Sequence, residues 1–533
     1  MRESFDYVIV GAGPAGCLLA NRLSANASIR VALLESGPVN RHFLIDMPKG
    51  FGRLLVKSPF VMHYPTQPDP SGQRYVWARG RTLGGSTSIN GMAYSRGQPV
   101  DYDDWEALGA TGWNWQSMLS AFRAIEDHEL GANHMRGSGG PMHVSINRIR
   151  TLPNDAALAA AQAIGLPVRE DVNGHEDQSG IGPMPQMIRH GRRMSAADAF
   201  LRPAAGRSNL SVFTGAVAYR IRFDGRRAVG VEGVRNGQPF SLRVDREVLC
   251  CAGAFETPKL LLLSGIGPAS HLEQHGIAVV QDSPGVGENM AEHRGIALQY
   301  RLRERLSHNP QFSGLRLTKN TLQYLLFRTG IMSYGSHELM GFAQVRSESG
   351  HADTQFFASP FSRVMGAPTP KFEAFPGMQC LIYPTRPTSR GSVRLRSADP
   401  ADMPAITPNL LSTEEDRATS TAMVRFVRRW FATQPLRSML AEETFPGTQV
   451  DTDEQILDAV RKRGTWGFHT CGTARMGRDG DPMAVPDSNL RVRGVERLRV
   501  IDASSFPAIV SANTTAPVLA LAWRAADSIA ESN

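Results

Sequence analysis

The segment Val8-Ile-Val-Gly-Ala-Gly-Pro-Ala-Gly16 links an apolar run to the beginning of a helix pattern. Residues 5–10 have the composition of a short buried parallel strand, and residues 14–23 have that of a helix that begins with proline. Three glycines lie in the turn between them, spaced as in turns that hold a pyrophosphate. The segment therefore predicts the strand, turn and helix of an α/β domain that binds an adenine dinucleotide.

Each glycine of this turn has its own physical role. Gly11 permits the tight turn, Gly13 lets the pyrophosphate approach the backbone, and Gly16 lets helix and strand pack closely. The phosphates then meet the positive N-terminus of the helix. A second apolar run, residues 30–34, ends at Glu35, where a carboxylate can accept a hydrogen bond from a ribose hydroxyl.

The glycine spacing alone is weak evidence. In a chain with 51 glycines among 533 residues it occurs by chance about 0.5 times, so the neighbouring strand, helix and acid give the motif its meaning. An ordinary glycine-rich turn is the alternative interpretation. The motif also does not distinguish FAD from NAD, because both carry the same pyrophosphate and adenosine ribose.

The composition is typical of a globular protein with two or three domain-sized units. Of the 533 residues, 41% are hydrophobic and 20% are charged. No apolar run reaches the ~18 residues of a transmembrane helix. The first predicted strand begins too early to leave room for a secretory signal. We therefore expect no transmembrane segment and a cytoplasmic location.

Cysteine spacing and charge distribution argue against two further classes of protein. The five cysteines contain no Cys-x-x-Cys pair, so we expect buried reduced thiols and neither a bound metal nor a disulfide framework. The net charge of +8 comes from dispersed arginines rather than from a basic tract. This distribution predicts no nucleic-acid partner and only modest attraction for anionic ligands.

Runs of β-forming residues follow in the middle of the chain. Apolar runs at 210–213, 228–234 and 247–251 alternate with the turns Asp224-Gly225 and Asn236-Gly237 and predict a β-rich insertion.

A short buried helix is predicted over residues 259–264. Thr257 suits its N-cap, Pro258 its first helical position and Gly265 the residue after its end.

From about residue 302 to residue 413 the sequence changes character. This region is rich in Pro, Arg and Ser and contains strand-like pieces at 378–383 and 392–396, so we expect a second domain here. Residues 499–503 again have the pattern of a buried strand that ends in an acid, and residues 519–529 have that of a helix. The end of the chain is therefore expected to complete the first domain.

Three further parts of the sequence together resemble the glucose-methanol-choline (GMC) family of FAD-dependent oxidoreductases. Two of them are Gly80-Arg-Thr-Leu-Gly-Gly-Ser-Thr-Ser-Ile-Asn90 and Gly253-Ala-Phe-Glu-Thr-Pro-Lys-Leu-Leu-Leu-Leu-Ser-Gly-Ile-Gly267. The third is a C-terminal set formed by Phe468-His469, Gly472-Thr-Ala-Arg-Met-Gly477, Asp502-Ala503 and Asn513-Thr-Thr-Ala-Pro517. Spread over nearly the whole chain in family order, they indicate the branch that includes choline dehydrogenase and the aryl-alcohol and hydroxymethylfurfural oxidases.

The resemblance implies an α/β fold made of two domains. One is a Rossmann-like FAD-binding domain completed by the C-terminus, and the other is an α+β substrate-binding domain with an antiparallel sheet. The FAD-binding domain is expected to comprise residues 1–155, 206–300 and 461–533. Residues 156–205 are expected to belong to the substrate-binding domain or to connect the two domains, and residues 301–460 to form the substrate-binding domain.

The resemblance also implies FAD as the cofactor and a set of residues that contact it. The expected contact residues are Gly11, Ala12, Gly13, Ala15, Gly16, Glu35, Ser36, Arg81, Leu83, Gly84, Gly85, Ser88, Asn90, Gly91, Met92, Ala93, Val217, Ala252, Asp502, Ala503, Asn513, Thr514 and Thr515.

By the same resemblance His469 is the catalytic base and Asn513 the second active-site residue. Judged by spacing alone, His469 is one of 14 histidines and more typical of a structural residue. In the implied reaction the neutral imidazole takes the hydroxyl proton of a primary alcohol while the amide stabilises the forming alkoxide. Hydride then passes to flavin N5 and the aldehyde forms.

Four positions depart from the usual family pattern and leave the detailed pocket shape open. They are Thr470, Cys471 and Ala474 after the catalytic histidine, and Thr515 after the catalytic asparagine. A buried packing role for Cys471 is favoured over redox chemistry.

Three residues are expected to contact the substrate: Glu338, Trp466 and Phe468. Glu338 resembles the acid that choline-acting relatives place in the substrate pocket, where a carboxylate and an aromatic ring hold a quaternary ammonium. Its alternative role is an ordinary ion pair with a basic side chain.

The expected activity is oxidation of a primary aromatic, furanic or aliphatic alcohol, with O2 or a quinone as electron acceptor. The alternatives are a choline-type dehydrogenase, a hydroxynitrile-lyase-like protein that keeps FAD without redox chemistry, and an NAD-linked dehydrogenase supported only by the first motif.

Ile89 generates a first prediction. Some members of the family carry a histidine at this position that bonds covalently to the flavin, so we expect non-covalent FAD here. Acid precipitation of the holoprotein should release all the yellow colour into the supernatant. Flavin that stays in the washed pellet would contradict the prediction.

Overall fold

The computed structural model describes residues 2–69, 71–367 and 369–531. Its strands are β1 (Arg2–Val10), β2 (Val31–Glu35), β3 (Val61–Pro65), β4 (Val76–Gly80), β5 (Glu126–His128), β6 (Met142–Ile146), β7 (Gly180–Pro183), β8 (Pro185–Gln186), β9 (Ile188–Arg189), β10 (Arg192–Arg193), β11 (Leu210–Thr214), β12 (Ala216–Asp224), β13 (Arg227–Arg235), β14 (Gln238–Cys250), β15 (Ile266–Gly267), β16 (Gln281–Asp282), β17 (Arg294–Leu302), β18 (Leu339–Ala343), β19 (Thr354–Ser359), β20 (Gly377–Pro384), β21 (Ser392–Arg394), β22 (Ala405–Thr407), β23 (Leu440–Phe445), β24 (Thr465–Trp466) and β25 (Leu498–Val500).

The α-helices surround two large sheets. They are α1 (Pro14–Leu23), α2 (Phe43–Asp46), α3 (Phe51–Leu54), α4 (Pro99–Ala107), α5 (Trp115–Ile125), α6 (Leu152–Ala163), α7 (Arg202–Ala204), α8 (Gly253–Leu263), α9 (Ala269–Gln274), α10 (Gly314–Phe327), α11 (Glu414–Phe431), α12 (Leu436–Met439), α13 (Asp453–Arg463) and α14 (Thr515–Glu531). Among the helices of the described residues, none combines the length and apolar character needed to cross a lipid bilayer.

The first sheet has the strand order β11-β2-β1-β14-β13-β12, and β25 pairs with β14. The pairs among β11, β2, β1, β14 and β25 are parallel, whereas β12, β13 and β14 form an antiparallel meander. Parallel strands buried on both faces need apolar residues throughout, and every residue of β2 is buried. The predicted Rossmann-like domain is confirmed, and β25 and α14 supply its C-terminal part.

The second sheet is antiparallel, as expected for the substrate-binding domain. Its order is β23-β17-β20-β19-β18-β7, and β24 also pairs with β17. Strand β20 alternates between its two faces. Met378, Cys380 and Ile382 pack into the core beneath α11, whereas the residues between them face the other way. The opposite face of this sheet is thus available to line a cavity.

One detail of the prediction is wrong. Helix α8 begins at Gly253, so Thr257 lies inside the helix and is not its N-cap. The Thr257 hydroxyl instead donates to Asp502 Oδ2 at 2.6 Å. The predicted strand at 392–396 is present as β21, which pairs with β22 in a separate two-stranded sheet.

The domain boundary near residue 300 also differs from the expected position. Strand β17 starts at Arg294 and β24 ends at Trp466, and both belong to the antiparallel sheet. The segments expected in the FAD-binding domain, 206–300 and 461–533, thus contribute residues to the second sheet. His469 follows directly after β24.

The packing of α1 on β1 generates a prediction about Gly16. A Cβ added at Gly16 would lie 1.9 Å from the Gly11 carbonyl oxygen, so Gly16→Ala has to separate the helix from the glycine turn. We expect it to lower the free energy of unfolding by about 1–3 kcal/mol and to reduce the FAD content of the purified protein.

Gly206→Ala is the matched control, because a Cβ at Gly206 meets no atom within 4 Å. Thermal unfolding and the ratio of flavin to protein absorbance measure both effects. Equal stability and equal flavin content in the two variants would contradict the prediction.

Candidate active site

A cavity of about 1490 Å³ is lined by residues of both large sheets. It extends from the turn between β1 and α1 to His469 and to the face of the antiparallel sheet that carries Gln379, Leu381 and Tyr383. Of the residues expected to contact the cofactor, those on the cavity wall are Gly11, Gly13, Ala15, Glu35, Ser36, Arg81, Gly85, Asn90, Gly91, Met92, Ala93, Val217, Ala252, Asp502, Ala503, Asn513, Thr514 and Thr515. The folded chain therefore brings most of these distant segments together.

The other expected cofactor residues lie behind the wall, where they hold its two glycine loops together. They are Ala12, Gly16, Leu83, Gly84 and Ser88. The Gly84 amide donates to the Ala12 carbonyl at 2.8 Å, and the Ser88 hydroxyl donates to the Leu83 carbonyl at 2.7 Å. The Gly84–Ala12 bond joins the two glycine loops, and the Ser88–Leu83 bond closes a turn within the second loop.

Glu35 is held in place by the backbone at the end of β2. Its carboxylate accepts hydrogen bonds from the Ala12 amide at 3.1 Å and from the Gly37 amide at 2.8 Å. Burial raises the pKa of Glu35 to about 7, and these two hydrogen bonds oppose the shift. The acid predicted to hold a ribose is therefore fixed in orientation and lies on the cavity wall.

The two glycine loops form a cradle that fits a dinucleotide. A Cβ at Gly85 would lie 2.8 Å from Gly13 Cα, and one at Gly11 would lie 2.4 Å from the Cys251 carbonyl oxygen. Side chains at these positions would fill the space beside the N-terminus of α1. The absence of Cβ atoms lets a pyrophosphate approach the backbone at the N-terminus of α1.

Glu292 holds the loop that carries His469. Its carboxylate accepts from the backbone amides of His469 at 2.7 Å and His293 at 2.9 Å, from the Thr470 hydroxyl at 2.6 Å and from Trp77 Nε1 at 3.1 Å. Burial raises the pKa of Glu292, whereas Arg79 at 3.7 Å and these hydrogen bonds lower it. One buried acid thus fixes the backbone of both histidines.

A relay of two histidines determines which nitrogen of His469 is free. His293 Nε2 lies 2.8 Å from the Thr385 carbonyl, which can only accept, so this nitrogen carries the proton. Burial lowers the pKa of His293 to about 4, so the ring is neutral at pH 7 and its Nδ1 accepts. His469 Nδ1, 2.8 Å away, must then donate to His293. This leaves an unprotonated Nε2 on His469.

Asn513 is oriented by a second chain of hydrogen bonds. Tyr383 donates its hydroxyl to Gln355 Oε1 at 2.6 Å, and Gln355 Nε2 donates to Asn513 Oδ1 at 3.2 Å. The Asn513 amide nitrogen is therefore directed at His469 Nε2, 3.0 Å away. A basic nitrogen and an amide donor thus meet at one point on the cavity wall.

The charge state of His469 suits a base. Its pKa lies well below 6.5, chiefly because the ring is buried and also because His293 and Arg79 disfavour its protonation. His469 is only 6% exposed, and because its pKa lies below 6.5 the ring is neutral at pH 7.

The residues expected to bind substrate differ in position. Trp466 and Phe468 line the cavity, but the face of Trp466 already holds the Arg294 guanidinium at 4.4 Å. Glu338 is not on the cavity wall: it is 1% exposed, and its Oε1 lies 3.8 Å from Lys49 Nζ. Glu338 therefore has the alternative role, an ion pair with a basic side chain, which is Lys49.

Two neighbours of His469 have structural roles. Phe468 has a positive φ of 61°, unusual for a bulky residue, and its carbonyl accepts from Arg79 Nη1 at 2.6 Å. Cys471 is fully buried, and burial raises the pKa of its thiol. The prediction of a packing role for Cys471 agrees with this environment.

The sequence did not indicate Glu292, His293, Gln355 or Tyr383. All four are common residue types without a recognisable spacing. Glu292, His293 and Gln355 meet their active-site partners across more than 150 residues of chain, and Tyr383 acts through Gln355. His293 was one of 14 histidines. The adjacent pair Glu292-His293, directly before a buried strand, was the available signal.

Taken together, the fold, the dinucleotide cradle and the oriented histidine define an FAD-dependent oxidoreductase. Residues 5–294 and 387–522 match the N- and C-terminal sequence profiles of the GMC oxidoreductases. The chain belongs to the GMC oxidoreductase family.

Similar proteins include two curated choline dehydrogenases. The mitochondrial choline dehydrogenase of Mus musculus is 39% identical over 99% of this chain and 90% of its own length. The oxygen-dependent choline dehydrogenase of Brucella suis is 38% identical over 98% of this chain and 95% of its own. Pyridoxine 4-oxidase from Mesorbium loti, a solved structure, has 31% identity and a TM-score of 0.87, with 99% of each chain covered.

The histidine relay predicts that His293 positions the base. His293→Leu removes the acceptor for His469 Nδ1–H, so the proton can move to Nε2 and block the base. We expect kcat for alcohol oxidation to fall about a hundredfold while the absorption spectrum of bound FAD is unchanged. His293→Gln, whose amide oxygen can accept the same hydrogen bond, should recover most of the loss.

The pH profile provides the second measurement for this prediction. His469 must be deprotonated to act as a base, and its pKa is below 6.5, so kcat/KM of the native protein should fall only below pH 6.5. Equal losses in the Leu and Gln variants would show that His293 has only a packing role.

Proposed function

We propose that this protein oxidises a primary alcohol to the aldehyde, with His469 as the general base and Asn513 as the group that stabilises the oxygen. The observation that carries the proposal is the 3.0 Å contact between His469 Nε2 and Asn513 Nδ2 on the cavity wall. A hydroxyl oxygen within hydrogen-bond distance of both nitrogens can donate its proton to the imidazole and accept the hydrogen bond that the amide otherwise donates to His469 Nε2.

The chain's own residues then account for the proton of the reaction. As the O–H bond breaks, the proton moves to His469 Nε2, and His293 accepts the hydrogen bond from the opposite nitrogen of the imidazolium. General-base assistance of this kind contributes about 10² to 10⁴ in rate. Asn513 Nδ2 donates to the developing alkoxide, and its own oxygen remains bound to Gln355.

FAD, when bound, supplies the two-electron oxidant that accepts the hydride of the carbinol carbon. The residues that would hold it are those of the glycine cradle, with Glu35 at the ribose end. Family membership overturns the NAD-linked alternative.

Choline is a second candidate substrate, favoured by the two choline dehydrogenases among the similar proteins. The cavity gives it less support. Among the described residues, the carboxylates on the cavity wall are Glu35, Glu256 and Asp502, and all three belong to the FAD-binding domain. Glu338, the expected partner of a quaternary ammonium, is buried behind the wall beside Lys49.

Location in the cytoplasm and the electron acceptor, O2 or a quinone, stay predictions. Peroxide formation during turnover, compared with reduction of an artificial quinone, distinguishes the two acceptors.

His469→Ala tests the proposed function. The variant should retain FAD, because His469 contributes to the substrate end of the cavity, but reduction of the flavin by alcohol should slow by a factor of about 10² or more. Stopped-flow bleaching of the flavin under anaerobic conditions measures the step directly. Ser488→Ala is a control, because Ser488 is not on the cavity wall.

The same anaerobic experiment separates the alternatives. Native protein should be bleached by benzylic, furanic or aliphatic primary alcohols. A protein that cleaves hydroxynitriles without bleaching would be the lyase, and bleaching by choline alone would establish the choline dehydrogenase. Bleaching at the native rate in His469→Ala would remove His469 from the mechanism.

A further inference from the structure

The cavity has a second group of charged side chains at the end away from the glycine cradle. Lys49, His337 and Arg363 all line it, among the phenylalanines Phe312, Phe357, Phe361 and Phe372. Lys49 Nζ lies 5.9 Å from the ring centre of Phe312 and 5.7 Å from that of Phe361. This cationic, aromatic end of the cavity has no role in the proton transfer described above.

Arg363 is the unusual member of this group because its charge has no counterpart. Its Nε is buried without a hydrogen-bond partner, and its guanidinium forms no ion pair with a carboxylate of the residues that the structure describes. Burial lowers the pKa of Arg363, and no acid opposes the shift. In contrast, Arg79 on the same cavity wall lies 3.7 Å from Glu292.

The charge balance at this end is therefore positive. Lys49 and Glu338 offset each other, with Lys49 Nζ 3.8 Å from Glu338 Oε1. Burial, together with the charges of Lys49 and Arg363, lowers the pKa of His337 to about 3, so His337 stays neutral. Arg363 remains as one uncompensated cation in an apolar, aromatic cavity, an arrangement that is costly unless an anion binds there.

The position of Arg363 is fixed by the antiparallel sheet. Its backbone amide donates to Gln299 Oε1 at 2.6 Å, and its carbonyl accepts from Gln299 Nε2 at 3.0 Å. Gln299 is paired with Gln379 across β17 and β20. Arg363 is therefore anchored at the level of Gln379 in the sheet.

The length of strand β20 gives the distance from Gln379 to the catalytic residues. Gln379, Leu381 and Tyr383 line the cavity in alternation, and the Tyr383 ring centre lies 5.7 Å from that of His469. Four residues of extended strand span about 13 Å. The base thus lies beside Tyr383, and Gln379, at whose level the backbone of Arg363 is anchored, lies about 13 Å farther along the same strand.

We propose that the substrate is an alcohol with a carboxylate at its far end, and that Arg363 binds this carboxylate. The body between the two ends is apolar, because Leu381 and the phenylalanines form the wall along which it lies. The guanidinium provides a planar fork that matches a carboxylate in two hydrogen bonds. The proposal rests on the proposed alcohol oxidation, whose substrate class it specifies.

The test compares 10-hydroxydecanoate with its methyl ester on the FAD-loaded protein. The two compounds share the alcohol and the apolar chain and differ in the charge at the far end. Native protein should show kcat/KM at least about tenfold higher for the carboxylate, mainly through KM, as expected for a charge-assisted hydrogen-bonded pair.

Arg363→Met should bring the ratio of the two kcat/KM values close to one, because the value for the carboxylate falls much more than the value for the ester. Arg53→Met is the matched control, because Arg53 also lines the cavity but is exposed, and it should keep the native ratio. Native protein without preference for the carboxylate, or an equal loss on both compounds in Arg363→Met, would overturn the proposal.

A binding measurement separates this proposal from the proposed function. Decanoate and decanamide lack the alcohol, and their binding is followed by thermal stabilisation of the holoprotein. Decanoate should bind native protein at least about tenfold more tightly than decanamide, and Arg363→Met should abolish the difference. Equal binding overturns the anion site. Tight decanoate binding without oxidation of either alcohol would instead contradict only the proposed function.

Discussion

The geometry of the site depends on the buried carboxylate of Glu292. It accepts from the backbone of His293 and His469, from Thr470 and from Trp77, and so it connects three distant parts of the chain. A buried acid is stable only when its lone pairs are used and a cation is near, and Arg79 supplies the cation. Removal of the acid would leave several buried donors without acceptors and free the loop that carries the base.

His469 can act as a base because its ring is buried and because its hydrogen bonds fix which ring nitrogen carries the proton. Burial keeps the ring neutral, and the relay through His293 to the Thr385 carbonyl selects the nitrogen that carries the proton. Asn513 is directed in a similar way by Gln355. Both catalytic groups therefore have their orientation set before substrate binds, which is the arrangement that favours transition-state stabilisation.

Local signals in the sequence were sufficient for the nucleotide-binding unit. Helix α1 and the end of β2 lie where the glycine turn and Glu35 placed them, because the strand, turn and helix are specified by neighbouring residues. The network around His469 could not be predicted, since Glu292 and His293 reach it across more than 170 residues. The predicted start of α8 was too late because Pro258 suits a first helical position. In the structure the helix begins at Gly253, and the hydroxyl of Thr257, inside the helix, donates to Asp502.

Along β20, residues that pack in the protein core alternate with residues that line the cavity. Met378, Cys380 and Ile382 pack beneath α11, whereas Gln379, Leu381 and Tyr383 face the cavity. A substitution at Gln379 or Leu381 can therefore alter the ligand preference without disturbing the core beneath α11. The same strand can diversify during evolution on one face while its other face is held constant, which allows related enzymes to acquire new substrates at little cost in stability.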